Sequence, residues 1–514
     1  MPHEIAQPVR IVIVGGGTAG WLTAAYLARR MGRAWAITLI ESPQIATIGV
    51  GEGSFPSLRH TLAGLGVEES AFLNACHASF KQGVRFFNWG RGPEFEGDEY
   101  FHPFNLPYRE RGLDLAPYWL AGRNEAYADA VTMQGEVVRA GLGPKRRFDP
   151  DFEGPMNYAY HFDAVRLAEF LKEVAIRHGV THLSGTVGKV NLDDQGQITS
   201  VEAPEHGPLA GDLFIDCSGF RARLIGEALG SRLRPVGDVL FNDRALAIQV
   251  PYASPDEPIA PCTLASAQEA GWIWDIGLQN RRGIGYVFSS RHSDQDQAEA
   301  ALRSYIGPAA DGCAARLLQF ETGYRERQWI GNCVAVGLSA GFFEPLESTG
   351  IMLIEVAATL IAGLYAGPDR RATAGAARLF NDQMRGRFER ILDFLKLHFC
   401  AGGRRDTAYW RDNADSATIP ASLQDRLDQW RLRPVSGFDF VTDLETFLPA
   451  SYEYILYGLG GGPAGLAAPS GGPTAASAFQ KVALARREVV RNLPGHRQLL
   501  QAYGAPRPAE AASG

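Results

Sequence analysis

A chain of 514 residues, 46% of them hydrophobic, can bury large cores, and its net charge of −7 lacks the clustered cationic face that a nucleic-acid binder needs. Its six cysteines (Cys76, Cys217, Cys262, Cys313, Cys333 and Cys400) stand singly without a Cys-x-x-Cys pair, which argues against a zinc site, a disulfide framework or any metal centre. No stretch reaches the roughly 18 unbroken apolar residues of a membrane span, and no basic segment with an apolar run opens the chain, so the cytoplasm is the expected location.

The first predicted unit spans Arg10 to Glu41. An apolar run, Ile11-Val12-Ile13-Val14, leads into Gly15-Gly16-Gly17-Thr18-Ala19-Gly20, then a helical pattern from Trp21 to Arg30 and a second apolar run ending at Glu41. Gly15 and Gly17 let the backbone turn tightly against a pyrophosphate, and Gly20 lets the helix approach the strand. The helix N-terminus offers unpaired N–H groups to phosphates, and Glu41, about 20 residues on, is placed to accept from a ribose hydroxyl. A dinucleotide site is expected, with FAD and NAD both open. A second glycine-rich match, Gly460 to Gly465, has no β-branched strand before it and carries Pro463, so it is read as fortuitous. With one such unit, a flavin and a separate nicotinamide domain are not both expected.

Ile48 to Pro56 is too glycine-rich for a regular element and reads as a loop against something flat. Helices are expected over 57–65 and 68–76, followed by one strand from Phe80 to Trp89 with Lys81, Gly83, Arg85, Phe87 and Trp89 on a common face. Residues 90–155 read as mostly irregular, with some helix between Leu115 and Leu142; an insertion of that length is more often a lid or wall than filler. An amphipathic helix is expected over 164–178, a buried strand at Leu213–Gly219, a hairpin of Trp272–Leu278 with Ile284–Ser289, a strand at Asn332–Val336 and a helix over Thr349–Leu364. From Leu379 the pattern is largely helical, 458–477 reads as a low-complexity loop, and 505–514 has a disordered composition.

Three constellations can carry chemistry. Lys81 is either a solvated strand lysine or a buried one held among Phe80, Phe86, Phe87 and Trp89 as a proton donor or nucleophile. Glu347 sits where a strand, a small-residue turn and a helix succeed one another; either Ser348 or Thr349 caps that helix, or the N–H groups of Thr349 and Gly350 are free to hold an anion. Trp272 and Trp274 share one strand face, as core or as a wall.

Six motifs in this order resemble the tryptophan-halogenase family of flavin-dependent halogenases: Gly-Gly-Gly-Thr-Ala-Gly-Trp at 15–21, Gly-Val-Gly-Glu-Gly at 49–53, Phe-Lys-Gln-Gly-Val-Arg-Phe at 80–86, Tyr-His-Phe-Asp-Ala at 160–164, Phe-Ile-Asp-Cys-Ser-Gly-Phe at 214–220 and Glu-Pro-Leu-Glu-Ser-Thr-Gly-Ile at 344–351. The resemblance implies an α/β protein with the Rossmann-like FAD-binding fold of flavin monooxygenases, a β-sheet substrate region and a mainly helical C-terminal cap, divided as 1–390 and 391–514. It implies FAD, arriving as FADH2 from a separate flavin reductase, and a halogenase that turns chloride or bromide into hypohalous acid for an electron-rich aromatic substrate such as an indole; a homodimer is left open. An FAD monooxygenase or oxidase acting on an aromatic is the alternative. By the same resemblance Lys81 and Glu347 are catalytic; Gly15, Gly17, Thr18, Ala19, Gly20, Glu41, Gly49, Val50, Gly337, Gly350 and Ile351 hold the flavin; Thr349 and Gly350 hold the halide; and Trp272, Trp274 and Phe86 line the substrate pocket. The family's Trp-x-Trp-x-Ile-Pro ends here in Gly277, which removes a φ constraint and is expected to loosen the hairpin. The grip for free tryptophan has only a faint counterpart in Ser451-Tyr452-Glu453-Tyr454, which puts free tryptophan in doubt as the substrate.

Overall fold

The structure is a computed structural model that describes residues 7–45, 51–467 and 469–504. The β-branched run Val9–Val14 forms the centre of a six-stranded sheet, pairing in parallel with Trp35–Glu41 on one side and Leu213–Asp216 on the other. Thr181–Ser184 and Cys333–Ala335 extend it in parallel, and Trp329–Ile330 closes one edge antiparallel. The helices Thr18–Met31, Ala164–Arg177 and Thr349–Leu364 pack together on the face that carries Ile11, Ile13 and Leu39, and Ile198, Val201, Leu224 and Ile225 cover the face of Val12, Val14 and Phe214, so the strands are buried on both faces and read as continuous apolar runs. The fold is the Rossmann-like α/β architecture expected from the opening unit.

A seven-stranded sheet forms the second layer. It runs from Arg316–Gln319 through Arg244–Pro251, Arg281–Phe288, Gly271–Gly277, Thr263–Gln268 and Gly83–Phe87 to Glu99–Pro103. Between the two lies a small antiparallel sheet in which Ala159–Asp163 is flanked by Gly51–Gly53 and Ser79–Lys81. Gly51 faces Gly283 of the large sheet, and the lack of a side chain on either lets the sheets approach. The stretch read as a loop before Pro56 therefore contains a strand.

The single strand expected over Phe80–Trp89 is two strands in different sheets. Gly83 has φ +144° and its Cα points into the His102 carbonyl, so the chain kinks there and no Cβ could be accommodated. Gln82 bridges the break, its backbone N–H donating to the Pro261 carbonyl and its side chain to that of Leu142. Lys81 therefore shares no face with Arg85, Phe87 and Trp89. The insertion after residue 90 also holds a strand that periodicity missed, Glu99–Pro103, and three short helices within the 115–142 segment, Ala116–Gly122, Tyr127–Val131 and Gln134–Arg139.

The helix Arg370–Cys400 runs unbroken through residue 390, where a boundary between body and cap was expected. The helices beyond it include Pro449–Gly458, which packs on Glu99–Pro103 and leads directly into Gly460–Gly465. A helix and no strand precedes that glycine run, as the reading of a fortuitous match requires. The expected low-complexity loop ends early because the helix Gly472–Asn492 starts with proline in its first turn. The tail 505–514 lies outside the described residues.

The last helix, His496–Gly504, reaches back to the lysine strand. His496 Nε2 accepts from the Phe80 N–H at 3.1 Å and its Nδ1–H donates to the Ile259 carbonyl at 3.0 Å. Both contacts require the neutral imidazole, and burial holds its pKa down at about 4. An unfolded histidine titrates near 6.5, so this stabilisation is present above pH 6.5 and is lost as pH falls from 6.5 to 4. Thermal unfolding across that window should show the wild type losing about 3 kcal/mol relative to a His496→Gln variant.

Candidate active site

The Gly15–Gly20 turn has the geometry its sequence predicts. Gly15 has φ +112° and abuts the Cys217 carbonyl, Gly16 abuts the Glu41 carboxylate, and Gly20 abuts the Gly15 carbonyl, so no side chain fits at any of the three. Gly17, the residue capping the helix Thr18–Met31, faces open space, and no side chain caps the helix N–H groups at Thr18 and Ala19. This cradle of bare N–H groups with a carboxylate beside it fits a dinucleotide pyrophosphate and ribose. Glu41 also accepts from Trp21 Nε1 at 3.2 Å and from Lys172 Nζ at 2.8 Å. Gly337, with φ +74° and Ala19 directly over its Cα, closes the same end of the sheet. Gly49 and Val50 lie outside the described residues.

Lys81 is 1% exposed. Its ammonium donates to Ser348 Oγ at 2.8 Å and lies 5.5 Å from the centre of the Phe104 ring, so its neighbours are not the aromatics of its own sequence segment. Burial lowers its pKa to about 8, against the opposing pull of the Glu347 charge. A Cβ on Gly53 would lie 2.8 Å from Ser348 Oγ and 3.1 Å from Lys81 Nζ, so glycine there keeps the lysine-serine contact open.

Ser348 stands at the N-cap of Thr349–Leu364 but with φ +56° and no capping bond, because its hydroxyl is turned to Lys81. The first N–H groups of that helix, at Thr349, Gly350 and Ile351, thus have no side-chain cap, and Gly350 faces open space. The arrangement can take a small anion or the carbonyl edge of a flat ligand.

Glu347 is 2% exposed. His102 Nδ1 donates to its Oε1 at 2.9 Å, and His398 Nε2 approaches the same oxygen at 3.3 Å, while Oε2 is buried without a partner. Burial alone would raise this carboxyl; the two histidines more than offset that and hold it at about 2. Glu344, three residues earlier in the sequence, has the opposite fate. It accepts from Trp272 Nε1 at 2.6 Å and Asn242 Nδ2 at 2.7 Å, and burial pushes it up to about 7. Burial thus pushes one carboxyl up while the histidines hold the other, three residues away, down.

Rings surround these groups. Phe55 packs against Phe104 and Phe447, and Phe447 stacks on Phe394 at 3.7 Å and lies beside His102. Phe55 and Phe104 keep part of their surface exposed, which presents aromatic faces next to Lys81. Phe86 is stacked on Tyr100 and touches His398, behind Glu347. Trp272 lies near Trp89 and Trp274, all three buried. Tyr454, from the faint tryptophan-grip segment, places its ring 6.1 Å from His102 and donates to the Asn105 carbonyl. Gly277 does not loosen its hairpin: it pairs with Arg282, its carbonyl accepts from Ser79, and a Cβ there would meet Ile259 at 2.8 Å and Tyr252 at 3.0 Å. His102, His398, Tyr100 and His496 were not singled out by sequence; the only local signal was the aromatic content of Tyr100-Phe101-His102.

The tryptophan halogenase family model matches residues 10–469. The chain belongs to the tryptophan halogenase family. It is 37% identical over 476 residues to tryptophan 6-halogenase SttH of Streptomyces toxytricini, covering 88% of this chain and 90% of that one. With tryptophan 7-halogenase RebH of Lentzea aerocolonigenes it shares 35% identity over 440 residues, 82% of each chain. The solved tryptophan halogenase of Shewanella frigidimarina superposes with a TM-score of 0.93 at 40% identity, covering 97% of this chain and 98% of that one. The flavin-dependent halogenase BrvH of Brevundimonas sp. superposes at 0.86 with 33% identity, covering 96% and 99%. The halogenase described here is therefore a flavin-dependent oxidoreductase, and among its described residues no helix is long and apolar enough to cross a membrane.

Proposed function

We propose that this halogenase installs chlorine or bromine on an indole-bearing substrate, tryptophan or a tryptophan derivative, using FADH2 delivered by a separate reductase. The observation that carries the reading is a buried ammonium, Lys81, bonded to Ser348, next in the chain to a buried carboxylate, Glu347, whose Oε2 has no hydrogen-bond partner among the described residues, with partly open aromatic faces alongside. Gly15, Gly17, Thr18, Ala19, Gly20, Glu41 and Gly337 would hold FAD, with Gly350 and Ile351 at its ring end. Reduced FAD supplies, with dioxygen and halide, the electrophilic halogen as hypohalous acid.

The chain's own residues then act in sequence. The bare N–H groups of Thr349 and Gly350 bind halide at the positive end of their helix. Lys81 receives the hypohalous acid, its N–H groups holding the oxygen, or its free amine taking the halogen as the oxygen–halogen bond breaks and the hydroxide leaves as water with the amine's proton. The aromatic walls position the arene and exclude water, which keeps the oxidant from diffusing away. Glu347 Oε2 takes the ring proton as aromaticity is restored; a carboxylate held ionised at neutral pH is competent to do so. Trp272, fixed by Glu344, stands as a wall with Trp274.

The test supplies FAD, a flavin reductase, NADH, oxygen and bromide, with tryptophan, simple indoles and tryptophan peptides as candidates, and reads products by mass spectrometry. A monobrominated indole is expected. Hydroxylated products, or bleaching of the bound flavin by NADH without a reductase, would instead show a monooxygenase.

A further inference from the structure

We propose that Tyr100 is a positioning residue for the base: its hydroxyl donates to His398 Nδ1, which places the single proton of that imidazole on Nε2, facing Glu347. The inference rests on the reading of Glu347 as the group that takes the ring proton.

The three side chains come from distant parts of the chain: the strand Glu99–Pro103, the turn before Thr349 and the helix Arg370–Cys400. Tyr100 and His102 are two residues apart on that strand and so share a face, His102 reaching Glu347 directly and Tyr100 reaching it through His398. Tyr100 Oη lies 2.9 Å from His398 Nδ1. Burial raises the phenol well above its ordinary value, so the hydroxyl keeps its proton; an ionised carboxylate only accepts, so the ring nitrogen facing Glu347 is the one that carries hydrogen and Nδ1 accepts from Tyr100. Burial also lowers His398, so its ring is neutral and has one proton to place. With Nδ1 accepting, that proton sits on Nε2, 3.3 Å from Glu347 Oε1.

The ring has no room to reorient. Phe86, Phe394 and Trp89 pack against it at centroid distances of 4.8, 5.3 and 6.1 Å. The titratable groups facing it are Tyr100 and Glu347, with His102 a further neighbour; Lys81 acts on Glu347, and Asp98 on Tyr100. Two consequences follow. His102 donates to Oε1 and His398 Nε2 lies 3.3 Å from the same oxygen, outside hydrogen-bond geometry, which leaves Oε2 as the free oxygen among the described residues. The hydrogen bond from Tyr100 also stabilises the neutral imidazole relative to the imidazolium, so His398 does not become a cation that would weaken Glu347 as a base.

Nitrogen-15 NMR of the histidine-labelled protein, with His398 assigned by its absence in His398→Gln, reads this directly. In wild type at pH 7 His398 should be neutral, with an unprotonated, hydrogen-bonded Nδ1 and a protonated Nε2. In Tyr100→Phe the Nδ1 signal should move to that of a free ring nitrogen, His398 should titrate about one pH unit higher, and the acid limb of kcat for halogenation should shift in the same direction, with kcat down about tenfold. An Nδ1–H tautomer or imidazolium in the wild type, or an unchanged titration in Tyr100→Phe, overturns the proposal. If Tyr100→Phe does not fold, the comparison is His398→Gln, which keeps a donor for Glu347, with His398→Met, which keeps only bulk: better activity in the Gln variant is expected, and equal activities overturn the proposal. The NMR arm needs neither flavin nor halide. A wild type whose His398 behaves as stated but which yields no halogenated product defeats the halogenation reading alone.

Discussion

Replacing Lys81 with methionine should abolish halogenation and make the protein more stable. Methionine fills the same buried space without a charge, and product formation should fall on the order of a thousandfold, about 4 kcal/mol of transition-state free energy. Stability moves the other way. Lys81 has a pKa of about 8 in the folded protein against 10.5 in the unfolded chain, so burying its charge costs about 3 kcal/mol, of which its bond to Ser348 returns about 1. The cost applies in full below pH 8 and vanishes above 10.5, since there the lysine is neutral in both states. Denaturant midpoints at pH 7 should favour Lys81→Met by about 2 kcal/mol, an advantage that disappears as pH rises from 8 to 10.5. A variant that is inactive and less stable would mean that Lys81 is a structural residue.

Glu347→Gln should lower kcat by a factor of about 10² to 10⁴ while leaving flavin binding intact. The amide keeps the shape and an oxygen for His102 but cannot take a proton. Stability should change too, with a sign that pH reveals. Glu347 is held at about 2 against an unfolded value of 4.5, so its contribution is present above pH 4.5 and is lost as pH falls through 4.5 toward 2. The difference between wild type and Glu347→Gln, measured by thermal unfolding, should therefore narrow on acidification. Full activity in the variant would remove Glu347 from the reaction.

What could be read from sequence depended on whether the cooperating residues are neighbours in the chain. The strand, glycine turn and helix proposed to hold the nucleotide follow one another, and the acid ends the next strand, so spacing alone gave the geometry of that turn. The helix Thr349–Leu364 was placed to the residue because its apolar face is uninterrupted. The surroundings of Lys81 were misread because a period of two assumes an unbroken strand, and Gly83 breaks it; the lysine's partner is Ser348, 267 residues away. The same holds for Glu347, whose grip comes from His102 and His398 on two other elements. Periodicity reports which face a residue occupies and carries no information about what faces it across a layer. Gly277 was legible as a departure from the family pattern, but its tolerance depends on Tyr252 and Ile259 filling the place a proline ring would take.

The bond between His496 and the Phe80 N–H joins positions 416 residues apart, and it has a consequence for how the enzyme is made. Chains emerge from the ribosome N-terminus first, so the strand carrying Lys81 is synthesised long before the helix that fastens it. Phe394, Phe447 and Tyr454, which ring His102, are also made before His496, so the bond that fastens the lysine strand forms after the residues that wall its surroundings have been synthesised.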